Sequence, residues 1–300
     1  MAAKNILHML TPHKHVSPFD VNMAADAGFD VIVPYENVTL EEVGDLVQDA
    51  IFSRPPNYGA STAIFFGGDD AVLALDMIDA AKKALVPPFG THVFADPQGS
   101  FTTAAAMVAC TEKVLKDKKD RGLKGARIAV FGATGVVGYC AAVIAALEGA
   151  EVTLVGHSGV ERVKARADEM KRRFGVDVSA VNGASDAEKE AVLAETEVVF
   201  AAAKAGVRVL TASLLAGAPK LLAAADVNAV PPSGIEGVDV FDLGKEIPGT
   251  AALGIGALAI GNVKYQTEAG LFKRMIAAEE VLALDFRDAF VLARTLVPDL

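Results

Sequence analysis

Gly132, Gly135 and Gly138 are spaced G-x-x-G-x-x-G, between an apolar run (Ile128 to Phe131) and a helical apolar pattern (Tyr139 to Leu147). A second strand-like run, Glu151-Val-Thr-Leu-Val-Gly156, follows. A strand, tight turn, helix and strand in this order present free backbone N–H groups at a helix N-terminus, where a pyrophosphate binds. Glycine suits the turn because a Cβ would hold the backbone off the phosphates and the helix off the strand. The spacing is not the G-x-G-x-x-G of the commonest NAD binders. A triplet alone is a weak signal, but inside a complete βαβ unit it points to a dinucleotide. The cofactor contacts expected at this turn are Gly132, Thr134, Gly135, Val136, Val137 and Gly138.

A carboxylate that binds the ribose is expected near the end of the second strand. The chain instead reads Gly156-His157-Ser158-Gly159, followed by Arg162, Lys164 and Arg166. Without an acid there, a 2′-phosphate is not repelled, and a hydroxyl, an imidazole and nearby cations could accept one. The plainer reading is that Arg162 to Arg166 is the solvated face of a basic helix. His157, Ser158 and Arg162 are therefore candidate cofactor contacts that admit NADP and leave NAD open. Ala202, Asp226, Asn228, Gly254 and Gly256 complete the candidate cofactor set.

Polar groups also gather where strand ends meet loops, which is where open α/β sheets bind ligands. They are Ser17-Pro18-Phe19-Asp20, Asp96-Pro-Gln-Gly-Ser100-Phe-Thr102-Thr103 and Asp226-Val-Asn228. Each has a purely structural alternative: Ser17, Asp96, Thr102 or Thr103 could cap helices, and Asp226 could bond neighbouring backbone. Asp69-Asp70 is best read as a helix N-cap after Gly67-Gly68. His8, His13 and His15 crowd one loop without further ligands at metal-binding spacing, so no metal is expected. A G-x-S-x-G elbow, a P-loop and a C-x-x-C motif are all absent.

These segments need a scaffold, and 300 residues suit two domains. The net charge of −10 argues against general nucleic-acid affinity. Cys110 and Cys140 lie in apolar helical patterns and read as buried small hydrophobes. The N-terminus, Met1-Ala-Ala-Lys-Asn, lacks a signal-peptide core. Ile128 to Leu147 is uncharged over a membrane-spanning length, yet its glycine turn splits it into strand and helix. Ile247 to Val263 reads as a loop entering a helix. A soluble, cytoplasmic protein with no membrane partner is expected.

In the first hundred residues strands are expected at Asn5–Leu10, Val31–Pro34, Thr62–Phe66 and His92–Ala95. Helices are expected at Pro18–Ala27, at Leu40–Phe52 and from the Gly67-Gly68-Asp69 turn to about Leu85. This alternation predicts an α/β domain with a mostly parallel sheet. A helix from about Thr102 to Leu115 then enters a charged linker, Lys116 to Gly122. Rossmann strands are expected at Arg127–Phe131, Val152–Val155, Val176–Val181, Val198–Ala201 and Leu221–Ala225. Two closing helices, about Ile255–Ala278 and Phe286–Leu296, have no strand after them and should pack back on the first domain. The expected organisation is an N-terminal α/β domain at 1–122, a Rossmann dinucleotide-binding domain at 123–254 and C-terminal bridging helices at 255–300.

Several stretches carry a family resemblance: HMLTPHKHVSPFDVNMAADAGF, QDAIFSR, VPPFGTHVFADPQGSFTTAAAMVA, ADVNAVPPSGI and GIGALAIGNVKYQTEAGLF, with the glycine turn. They span nearly the whole chain, which resembles the bacterial NAD(P)-dependent methylene-tetrahydromethanopterin dehydrogenases. The resemblance implies hydride transfer from N5,N10-methylene-tetrahydromethanopterin to NAD or NADP, giving the methenyl form, in the formaldehyde oxidation of one-carbon-metabolising bacteria. It also implies a two-domain subunit that binds the pterin in its cleft, in a homo-oligomer expected to be a trimer. NADP-restricted relatives, some of which accept methylene-tetrahydrofolate, resemble the chain less and carry arginine where His157 stands. That difference favours the branch using both cofactors.

The expected substrate contacts are Ser17, Phe19, Asp20, Asp96, Ser100, Thr102, Asn228, Lys264 and Gln266. Among them, Asp20 and Gln266 should hydrogen-bond the pterin, and Thr102 and Asn228 should align it. Lys264 and Gln266 lie two apart and cannot share a face of a regular helix. Removing hydride from a carbon between two nitrogens leaves a cation that both lone pairs stabilise, so no residue is expected to act as acid or base. The sequence leaves two other readings open. A shikimate-type dehydrogenase would need a Lys/Asp pair for its hydroxyl, and the first-domain loops offer no lysine but Lys14. A nucleotide-sensing regulator would bind cofactor without turnover.

Overall fold

Residues 3–299 are described by a computed structural model; Met1, Ala2 and Leu300, at the ends of the expected outer domains, lie outside the described residues. The chain runs β1 (Ile6–Leu10), α1 (Pro18–Ala27), β2 (Val31–Tyr35), α2 (Val43–Phe52), β3 (Thr62–Phe66), α3 (Ala71–Ala84), β4 (His92–Ala95) and α4 (Ser100–Lys119). It continues through β5 (Arg127–Phe131), α5 (Val136–Leu147), β6 (Glu151–Gly156), α6 (Glu161–Phe174), β7 (Ser179–Asn182), α7 (Asp186–Leu193) and β8 (Val198–Ala201). The last elements are α8 (Ala212–Ala216), β9 (Ala223–Asp226), β10 (Leu243–Glu246), β11 (Leu253–Ile255), α9 (Ala257–Ala277), β12 (Ala283–Leu284) and α10 (Phe286–Leu296). The fold is α/β with two mostly parallel sheets.

Two compact units divide the chain, one of Met1–Thr102 with Tyr265–Leu292, the other of Thr103–Lys264 with Ala293–Leu300. The divisions therefore fall within α4 and α9, not at the expected 122 and 254. The charged run after Leu115 does not act as a linker. It holds ordinary helix formers and no glycine before Gly122, so α4 continues to Lys119.

In the first unit a five-stranded, all-parallel sheet has the order β12-β4-β3-β1-β2. Its central strand β3 is buried at every position, as expected of a parallel strand covered on both faces. Phe272 of α9 packs on Phe65 and Phe94 with ring centroids 5.5 and 5.3 Å away. Each buried ring contributes about 1.5–3 kcal/mol. Between the two closing helices, where no strand is expected, the two-residue strand β12 pairs with β4; it is too short to leave an alternating pattern.

The seven-stranded sheet of the second unit has the order β10-β11-β9-β8-β5-β6-β7, with β10 antiparallel. The chain leaves β5 in one direction through β6 and β7 and returns on the other side through β8. The topological switch point of a Rossmann sheet thus lies between β5 and β8. β10 and β11 were not expected, because LGKE and LGI are short, glycine-containing segments without alternation. β7 begins at Ser179, three residues later than expected, and α2 at Val43 rather than Leu40. The uncharged stretch from Ile128 is β5 and α5, and no described helix is long and apolar enough to cross a membrane. Both cysteines are free and buried, and burial pushes the Cys110 thiol up to about 12.

Candidate functional site

In the second unit, the turn after β5 is shaped by three glycines with three different jobs. Gly132 has φ +85°, and a Cβ there would lie 2.3 Å from the Ala202 carbonyl oxygen at the end of β8. A Cβ on Gly138 would lie 2.5 Å from the Gly132 carbonyl oxygen, so this glycine lets α5 sit on the turn. Gly135, the exposed N-cap of α5, is different: a Cβ there would meet nothing closer than 3.5 Å. A side chain would therefore fit there without a clash, filling the cradle that the glycine leaves. The first-turn N–H groups of α5 have no intrahelical acceptor, which makes this end a fit for a pyrophosphate.

The cleft over this turn has a volume of about 690 Å³. Of the expected contacts it is lined by Gly132, Thr134, Gly135, His157, Arg162 and Ala202. Ser158 joins His157 and Arg162 around a smaller recess beside the turn. The loop carrying them folds tightly, since a Cβ on Gly156 would lie 2.1 Å from the Gly159 carbonyl oxygen. Sequence reading missed Lys189, Lys204 and Arg208, which also line the cleft, as does Gly183. Among the described residues no Asp or Glu lines it, in a chain of net charge −10. The nucleotide phosphates of NAD or NADP suit this donor set.

The other expected cofactor residues lie elsewhere. Val136 and Val137 open α5, half-buried and outside the cleft lining, and Gly138 is buried against the turn. Asp226 is 2 % exposed, and its carboxylate accepts the backbone N–H groups of Asn228 and Ile235, both at 3.0 Å. Burial, offset in part by these bonds, raises its pKa. Asn228 accepts from Gly206 and Val230 and donates to the Pro232 carbonyl at 2.9 Å. Both residues brace the loop after β9, and for Asp226 these are the backbone bonds named as its structural alternative. Gly254 and Gly256 are buried; a Cβ on Gly256 would lie 2.0 Å from the Asp239 carbonyl oxygen, so its smallness serves loop packing.

In the first unit a pocket of about 190 Å³ opens at the carboxyl ends of β1 and β3. Ser17 and Asp20 line it, with Thr11, His13, His15, Gln98 and the Gly67-Gly68 turn. Pro18 at N1 and Ser17 as N-cap, accepting from the Asp20 N–H at 3.4 Å, start α1 so that Asp20 sits in its first turn. Asp20 is 2 % exposed, whereas neighbouring Phe19 is exposed and meets the Tyr265 ring edge-on at 6.4 Å. His13 pairs with Asp69 at 3.2 Å and His15 with Glu36 at 3.6 Å. His8 does not share their loop: it lies on β1, 3.1 Å from the Tyr35 hydroxyl. Among the described residues no cluster of three metal-ligating side chains forms. Asp70 caps α3, accepting from Val72 and Leu73.

Asp96, Ser100 and Thr102 do not line this pocket. The fully buried Asp96 carboxylate accepts the Phe101 N–H at 2.7 Å and the Thr102 hydroxyl at 2.5 Å, tying down the start of α4. Gln98, in the turn before α4, reaches the pocket instead, and it adopts φ 52°. Nothing local in the sequence distinguishes such a residue. On α9 Lys264 is buried and Gln266 exposed, so they occupy different faces; neither lines the pocket or the cleft.

Fold and cleft together define a Rossmann-type dinucleotide-binding protein with a second parallel sheet. Among solved structures, the 5-ketofructose reductase of a Gluconobacter species covers 98 % of this chain and 99 % of its own, at 15 % identity and TM-score 0.54. The shikimate 5-dehydrogenase of Listeria monocytogenes covers 91 % of each, at 15 % identity and TM-score 0.50. Both likenesses are of fold alone.

A sequence profile for the N-terminal part of methylene-tetrahydromethanopterin dehydrogenase matches residues 18–98. The NAD(P)-dependent methylenetetrahydromethanopterin dehydrogenase of Methylorubrum extorquens is 58 % identical over 291 residues, covering 97 % of this chain and 98 % of that protein. The chain belongs to the methylene-tetrahydromethanopterin dehydrogenase family.

Proposed function

We propose that this protein oxidises N5,N10-methylene-tetrahydromethanopterin to its methenyl form with NAD or NADP, in the one-carbon metabolism of formaldehyde oxidation. The carrying observation is the cleft over the β5–α5 turn, with its open Gly135 cradle and acid-free lining, in a chain of this family. The nicotinamide, when bound, supplies the hydride acceptor. The turn and the α5 N-terminus hold the pyrophosphate, and His157, Ser158 and Arg162 take the adenosine ribose. In the first unit, Asp20 and Ser17 orient the pterin head. A pocket of about 190 Å³ is smaller than the ~300–1,000 Å³ of drug-sized ligand sites, so it suits the head group alone. Asp20 serves there as a hydrogen-bond acceptor, because the reaction moves no proton. The protein is further proposed to act in the cytoplasm as a homo-oligomer, a trimer.

Formation of NAD(P)H, followed spectrophotometrically with both methylene-tetrahydromethanopterin and methylene-tetrahydrofolate, tests this reading. Turnover of the methanopterin substrate with either nucleotide is expected. Turnover of the folate alone would move the assignment to a methylene-tetrahydrofolate dehydrogenase. Oxidation of shikimate, or nucleotide binding without any turnover, would overturn it.

A further inference from the structure

Lys189 is the cleft residue that the sequence least advertises, since it lies more than thirty positions after the ribose loop. β6 and β7 run parallel with Gly156 opposite Asn182, and the Gly183 N–H donates to the Gly156 carbonyl at 2.8 Å. The loops after these strands, Gly156 to Gly159 and Gly183 to Ser185, are therefore neighbours. A Cβ on Gly183 would lie 2.2 Å from Val155 Cγ1, so the second loop hugs β6 closely. Ser185 and Glu188 then form a capping box that pins the first turn of α7. Lys189 follows directly and lines the cleft with His157 and Arg162.

Its charge environment is unusual for a lysine. The side chain is 18 % exposed, yet among the described residues its ammonium pairs only with Asp186, at 3.4 Å. Asp186 is 71 % exposed, and such a pair contributes little. Glu188 is turned away, accepting from the Asn182 amide and the Ser185 N–H. Arg162 and Lys204, on the same cleft, have no ion-pair partner among the described residues, whereas Arg208 bonds the Ser233 carbonyl and Glu236. Cations left with spare donors around an acid-free cleft fit a ligand carrying more phosphate charge than a pyrophosphate alone.

We propose that Lys189 reads the 2′-phosphate of NADP, so that α7 contributes to cofactor choice together with the loop after β6. The proposal rests on the dinucleotide reading of the cleft. A phosphate monoester can take charge-assisted hydrogen bonds from an ammonium with unused donors, whereas the ribose hydroxyl of NAD offers no charge.

The test is titration of the intact protein with NADP, NAD, 2′,5′-ADP and 5′-AMP, in the parent and in Lys189→Met, Lys189→Gln and Lys189→Arg. The Met and Gln variants should bind NADP and 2′,5′-ADP about tenfold more weakly, about 1.4 kcal/mol, and NAD and 5′-AMP within about twofold of the parent. The Arg variant should retain NADP. Equal weakening of all four ligands would assign Lys189 to the shared part of the nucleotide or to the fold and overturn the proposal. So would unchanged NADP affinity. If NADP binding is lost in Gly135→Val but untouched in Lys189→Met, the cleft reading stands and only the role of Lys189 falls. A parent that binds no nucleotide overturns both.

Discussion

The cleft of the second unit and the pocket of the first are built from different materials. The turn that floors the cleft is made of backbone, below a rim of cationic residues: two glycines close the packing behind it and a third leaves the floor open. Side chains that loops bring together make the pocket: Ser17 and Asp20 from the start of α1, His13 and His15 from the preceding loop, and Gln98 from the turn before α4. A backbone site is intolerant of any Cβ but indifferent to most neighbouring side-chain identities. A side-chain site depends on which polar groups turn inward, and that depends on the whole surrounding packing.

The sharpest way to break this comparison is to add carbon to the glycines. Gly138→Val would drive its side chain into the turn backbone, and a loss of several kcal/mol is expected, of order 3 or more, seen as a large fall in Tm. Gly135→Val has room within the protein and should leave Tm nearly unchanged. It should weaken NAD and NADP together by tenfold or more, because it blocks the part they share. Equal nucleotide dissociation constants in parent and Gly135→Val would end the assignment of this turn.

In the pocket, Asp20→Ala should lower kcat/KM for the methylene-pterin by about tenfold to a hundredfold, the worth of a hydrogen bond to a charged group. Nucleotide affinity should not change. Because no proton moves, the pH profile of kcat should keep its shape when hydride transfer limits the rate. A titrating limb that disappears in the variant would show Asp20 to be a proton-transfer group and favour a hydroxyl-oxidising enzyme.

The smallest effect is expected at His157, where a side chain edges the backbone-built cleft. His157→Arg should favour NADP, and His157→Asp should favour NAD, each by about threefold or more in the ratio of kcat/KM values, about 0.6 kcal/mol or more. Ratios that stay fixed in both variants would show that this loop does not read the ribose.

The dinucleotide turn was legible because its three glycines stand together between a strand pattern and a helix pattern. Only at Gly138 does the steric exclusion itself act over a few residues; at Gly132 it comes from Ala202 at the end of β8, and at Gly135 the protein excludes nothing. The alternating elements of both units were legible from such local patterns, except β10, β11 and β12, too short to show a period. The first-unit acids were not separable in this way. Asp20 and Asp96 both stand near the start of a helix after a strand, and an oxygen that caps a helix is chemically the same as one that binds a ligand. Only the fold shows Asp96 spent on Phe101 and Thr102 while Asp20 lines a pocket.

Asp226 and Asn228 were likewise drawn into loop bracing by partners up to 22 residues away. Lys189 came to the cleft because parallel pairing sets the end of β7 beside the end of β6. The sequence by itself determined the longer elements and marked the backbone cradle, because helix and strand periods and the glycine spacing are read among near neighbours. Tertiary structure decided which polar side chains face a ligand, because that depends on strand order and on competition from distant backbone donors.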